Sequence, residues 1–121
     1  MFQSLQWVAA VHAAYLILSG AWPIVHMRSF LAVTGPKRDL WLVKTVGVMV
    51  MVVGATIGLA AWSEAITWPI LVLAVGTAAA LAAVDLVYVL NRTISRIYLL
   101  DAGVEGLLII AWLLFWTSPA V

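Results

Sequence analysis

Asp101 and Glu105 stand four residues apart in an otherwise apolar stretch running from Tyr98 to Trp116. On a helix that spacing puts both carboxylates on one face, one above the other, where they could share a cation or a proton. Asp85 and Tyr88 interrupt a second apolar stretch, and Lys44 stands just inside a third. Asp85, Tyr88, Tyr98, Asp101, Glu105 and Lys44 are therefore the candidate ligand-binding residues of a pocket within the apolar segments. No spacing among them specifies a reaction, so no catalytic residue is assigned. The chain holds no H-x-x-x-H or E-x-x-H spacing, so no metal site is expected. It also lacks a phosphate loop, a nucleotide fingerprint and a hydrolase elbow, and no cofactor is expected. The absence of cysteine excludes disulfides, thiolate metal sites and Cys nucleophiles.

The elements that carry these residues follow from composition. Of 121 residues 66% are hydrophobic and only 9% are Asp, Glu, Lys or Arg, against about 25% charged in a soluble domain. Four stretches carry no charge at all: Met1 to Met27, Thr45 to Ser63, Ala65 to Val84, and Gly106 to Val121. A bilayer core takes roughly 20 apolar helical residues to cross. A soluble enzyme, a disordered chain and, with a net charge of +1, a nucleic-acid binder are excluded.

Periodicity and punctuation predict four transmembrane helices, over about 5–27, 39–62, 67–90 and 95–117. Pro23 kinks the first near its end, and Gly35-Pro36 turn a loop from Arg28 to Arg38. Asp39, Thr67 and Ser95 are the expected N-caps, with Pro69 in a first turn where its missing N–H does no harm. The first helix is read as a retained span, because no Lys or Arg precedes it and His12 interrupts its apolar core. Short connections make sequential helices antiparallel neighbours: an all-α, up-down bundle forming one domain over 1–121.

All six basic residues fall on one side of such a bundle. Arg28, Lys37 and Arg38 lie in the first connection, Lys44 just beyond it, and Arg92 and Arg96 in the third. By the positive-inside rule these loops face the cytoplasm of a bacterial inner membrane and both termini face outward. Trp7, Trp62, Trp68 and Trp116 then mark the outer interface and Trp41 the inner one.

At about 100° per residue the polar and small residues collect into stripes: His12, Tyr15, Ser19, Pro23 and His26 on the first helix, Lys44, Gly47, Met51, Gly54 and Gly58 on the second, Asp85, Tyr88 and Arg92 on the third, and Tyr98, Asp101 and Glu105 on the fourth. Turning these stripes inward and the aliphatic faces to lipid is the simplest packing. Gly47, Gly54 and Gly58 read as helix-packing residues. His12 and His26 read as hydrogen-bonded histidines near the two interfaces, and Tyr15 as a packing residue with a hydrogen bond. Lys44, Asp85 and Asp101 lie at depths of about 7–8 Å, with Glu105 a turn deeper. An ionisable group at a span's centre costs about 2.5–3.5 kcal/mol, so either Lys44 pairs with Asp85 or Asp101 to fix helix register, or the acids line a pocket. Glu105 has no basic residue at its own depth.

Three segments carry a resemblance: Thr34-Gly-Pro-Lys-Arg-Asp-Leu-Trp-Leu-Val-Lys-Thr-Val-Gly47, Asp85-Leu-Val-Tyr88 and Tyr98-Leu-Leu-Asp101. With them the chain resembles a group of small bacterial four-helix membrane proteins to which no activity attaches. At the level of fold alone it is similar to the EXPERA bundle of sterol isomerases, where acidic residues line a ligand cavity, and to DoxX-like proteins. It is shorter than the EXPERA proteins, its termini are expected on the opposite side, and its carboxylates do not align with theirs. It shares only size with the small multidrug exporters, since its first helix holds no carboxylate.

The function expected is binding of a small amphiphilic or cationic molecule, or of a lipid, in a carboxylate-lined pocket open to the cytoplasm. A structural or accessory subunit of a larger membrane complex, or a homo-oligomer, is the alternative. A lipid or isoprenoid enzyme using Glu105 or Asp101 as general acid is a third.

Overall fold

The computed structural model describes residues 3–117. Four helices are long and apolar enough to cross a membrane: α1 (Ser4–Val25), α3 (Leu40–Trp62), α4 (Trp68–Leu90) and α5 (Tyr98–Thr117). A short helix, α2 (Met27–Thr34), joins the first two spans. The protein is an all-α, multi-pass membrane protein, and helices satisfy the backbone polar groups that lipid cannot.

The second and third spans fall within a residue of the expected bounds, but the end of the first span and the connection after it differ. α1 stops at Val25, and His26 leaves helical geometry at φ −148° and ψ 80°. The His26 Nδ1 then accepts the backbone N–H of Ser29 at 3.2 Å, so this histidine caps α2. Trp22 Nε1 donates to Ser29 Oγ at 2.8 Å, and the Trp22 and Phe30 rings meet edge to face at 5.4 Å, which clamps α2 back onto α1. Much of the segment expected to be loop is therefore helical, and it ends at Gly35, whose φ of +100° favours glycine and whose N–H donates to Leu31 O at 2.9 Å. Asp39 and Thr67 occupy N-cap positions without side-chain cap bonds. α5 begins at Tyr98 rather than Ser95, whose hydroxyl instead accepts the backbone N–H of Ile97 at 3.3 Å.

The turns after α3 and α4 share one construction. Glu64 and Arg92 adopt left-handed φ values of 55° and 60°. Ala65 N–H donates to Ala60 O and Thr93 N–H to Tyr88 O, each at 2.8 Å, completing the paired bonds of a Schellman cap without a glycine.

Packing divides the bundle into two antiparallel hairpins, α1 with α3 and α4 with α5. The first is sewn at one end by the buried Gln6, whose Nε2 donates to Ala61 O at 2.8 Å. Further along, Gly54 faces the Ala13 carbonyl and Leu16, and Gly58 faces Ala13. Gly20 then meets Gly47 so closely that a Cβ on Gly20 would overlap the Gly47 carbonyl oxygen. The hairpins join more where α1 meets α5 than where α3 meets α4. The apolar core lies at the end holding that turn: Ala9, Ala13, Leu16, Ile57, Ala61, Leu71, Ala74 and Trp112. Exposed Trp7, Trp62 and Trp68 ring this end and exposed Trp41 stands at the other.

Gly20→Ala should lower the unfolding midpoint of the detergent-solubilised protein, by the equivalent of about 1–3 kcal/mol for overpacking. Gly76→Ala, where an added Cβ meets nothing within 4 Å, should leave it unchanged or higher. Equal responses would show that α1 and α3 do not approach at Gly20.

Candidate functional site

The half of the bundle away from the core is hollow. A cavity of about 520 Å³ lies between the two hairpins, within the 300–1,000 Å³ range of small-molecule sites. Part of its wall is aliphatic, built by Val43, Val46 and Val50 of α3 with Leu81 and Val84 of α4. The polar part of the wall comes from Tyr15 and Ser19 of α1, Asp85 of α4, and Tyr98 and Asp101 of α5. Phe30, Thr34 and Lys37 close the space from the side of α2.

The polar wall is one connected group. The Tyr15 hydroxyl donates to Asp101 Oδ1, tying α1 to α5 across the seam between the hairpins. Ser19 stands beside the same phenol. The Asp85 carboxyl lies within hydrogen-bonding reach of Asp101, yet its Oδ2 has no partner although the residue is only 5% exposed. Two carboxyls so placed can hold a proton between them or turn together toward a cation. Glu105 lies near enough for its charge to act on Asp101, Asp85 and Tyr15. It is fully buried, neither oxygen has a partner, and it is not on the cavity wall.

Of the residues singled out in the sequence, Asp85, Tyr98 and Asp101 line the cavity and Glu105 sits behind it. Two are not turned inward. Lys44 is exposed, one turn beyond Gly47 at the level where α1 is ending, and a lysine near the end of a span can extend its charge along the helix toward water. Tyr88 is 44% exposed. The register set by Trp68 against Trp116 and Asp85 against Asp101 places it level with the first residue of α5, where cover from that helix runs out. Asp85 thus receives no charge from Lys44, and a register-setting pair of the two is not formed. His12 is completely buried in mid-span; its Nδ1 accepts from Trp112 Nε1 at 3.0 Å and its Nε2 has no partner. Among the described residues no group of three His, Asp or Glu is placed to hold a metal ion.

Lys37 and Tyr15 are the site residues that sequence reasoning missed. Lys37 Nζ donates to Thr34 Oγ1 at 2.8 Å and Gly35 O at 3.1 Å, and stands 5.1 Å from the ring centroids of both Phe30 and Tyr98. The signal for it was the i, i+4 pair Phe30 and Thr34, readable only once α2 is recognised as a helix. Tyr15 was visible on the polar stripe of the first span, but its partner on α5 lies 86 positions away.

No family model matches the chain, and no curated protein or solved structure is similar to it at a significant level. The fold and the cavity together define a multi-pass membrane protein, a four-span bundle with an acid-lined hollow at one end.

A double-mutant cycle of Tyr15→Phe with Asp101→Asn should give a coupling energy of about 0.6 kcal/mol, and at most about 1.7, as for hydrogen bonds between membrane helices. Unfolding in mixed micelles would read it. Additive effects would show that this bond does not tie α1 to α5.

Proposed function

We propose that the protein binds a small amphiphilic cation, its charged group on Asp85 and Asp101 and its apolar body against the α3–α4 wall. The observation that carries this reading is the unpartnered Oδ2 of Asp85, 95% buried on the wall of a cavity and beside a second carboxyl with no base in contact. Ionisable groups inside a membrane span are costly and tend to serve a site, and an ammonium group would satisfy both carboxylates at once. The Tyr15 bond holds Asp101 in place.

The same reading places the basic loops in the cytoplasm of a bacterial inner membrane, with the cavity opening on that side. All six Lys and Arg residues lie at or near that end of the bundle, and the resemblance to small bacterial four-helix proteins agrees with it. The accessory-subunit alternative draws on the glycine stripe and on how little of the chain lies outside the spans; of that stripe, Gly47 and Gly54 are taken up by packing on α1.

Dodecylamine is a suitable probe. The wild-type protein in maltoside detergent should retain it in native mass spectrometry, and Asp85→Asn should weaken binding at least about tenfold, the loss of one charge-assisted hydrogen bond. Asp85→Glu should retain part of the affinity. Unchanged binding by a folded Asp85→Asn variant would overturn the assignment.

A further inference from the structure

The acid pair accounts for one end of a ligand, and the mouth of the cavity points to the other. A groove of about 800 Å³ runs between residues 34–38 and 92–95. Its charged lining residues are Lys37, Arg38 and Arg92, its hydroxyls include Thr93 and Ser95, and no acid lines it. Thr34, Lys37 and Ile94 line both groove and cavity, so the two spaces adjoin at Lys37. The bonds to Thr34 and Gly35 and the rings of Phe30 and Tyr98 hold that ammonium at the junction. Tyr98 in turn stands three residues before Asp101, on the order of 5 Å along the helix axis. Positive charge at the rim and paired carboxyls inside thus border one continuous space, linked by Lys37, which lines both groove and cavity.

We propose, resting on the reading of Asp85 and Asp101 as a cation site, that the ligand is zwitterionic. It carries an ammonium group held by the two aspartates and, across a short linker, a phosphate held at the mouth by Lys37, Arg38 and Arg92. Its hydrocarbon lies on Val43, Val46, Val50 and Leu81. Two features independent of each other meet here. Asp85 offers a buried carboxylate oxygen without a partner, and the rim offers cations that no acid of the groove neutralises. A simple amine would satisfy the first and be repelled by the second. A simple phosphate would satisfy the second and be repelled by the first. The phosphoethanolamine group satisfies both and occurs in a membrane lipid and as a free solute, so the two sources are separated by experiment.

The full chain in maltoside would be titrated with lysophosphatidylethanolamine, dodecylamine and free phosphoethanolamine, with bound mass read by native mass spectrometry. The lysolipid should bind at least about tenfold more tightly than dodecylamine, the contribution of one further charge-assisted contact. The double variant Arg38→Gln, Arg92→Gln should lose that preference: its lysolipid affinity should fall, and its dodecylamine affinity should not, because two charges that repel an amine are gone from the groove while the aspartates are untouched. Lysolipid binding without phosphoethanolamine binding supports the two-charge site and assigns a lipid; comparable binding of both supports it and assigns a soluble ligand. A lysolipid that binds no better than dodecylamine, or a preference that survives in the double variant, overturns the proposal and leaves the cation site standing. If a folded Asp85→Asn variant binds every probe as the wild type does, the cation site itself is wrong.

Discussion

Gly20 and Gly47 let two backbones meet where a side chain of any size would hold them apart, and much of the bundle is arranged around that contact. Helices in lipid gain nothing from excluding apolar surface from water, so their association depends on close packing and on polar ties. The α1–α3 pair uses both. It is drawn together along Ala13, Leu16, Gly20, Gly47 and Gly54, and bonded at its far end through Gln6 and Ala61. Because the closest approach falls near the end of α1, the chain has only a few residues left before His26 breaks the helix and α2 folds back over the opening.

The same geometry divides the interior. Near the Ser63–Thr67 turn small residues and the Trp112 ring fill the space, and His12 is hydrogen-bonded into the packing. Toward the basic loops a hollow remains between the hairpins, bordered by carboxyls as well as aliphatic groups. An acid buried in a packed membrane core would have no means of satisfying its oxygens. Placed at the edge of a hollow, Asp85 can be satisfied by whatever enters.

Hydropathy made the spans legible because roughly 20 apolar residues in succession admit little else, and the glycine stripe gave the packing face of α3. Asp85, Tyr98 and Asp101 were legible as inward residues because each falls on the single polar stripe of its helix. What was not legible depends on where helices end. Whether Lys44 and Tyr88 are covered is decided by where the neighbouring helices stop and start, which periodicity within their own helices does not report. α2 was hidden for a similar reason: basic and turn-forming residues around it read as loop, and the histidine that caps it sat in what looked like the last turn of a span. The bond from Tyr15 to Asp101 needed knowledge of which hairpin lies against which.

The division into two hairpins also bears on cooperativity. α1 is the common member, packed along its length on α3 and joined to α5 through Tyr15 and the buried His12–Trp112 bond. Opening the seam between α1 and α5 would separate two intact helical pairs without unwinding either, and local openings of this kind follow such lines of sparse contact. Amide exchange measured in micelles would then resolve the molecule into two protected units rather than one. The hollow, bordered by both, would be the part whose volume changes most when they move.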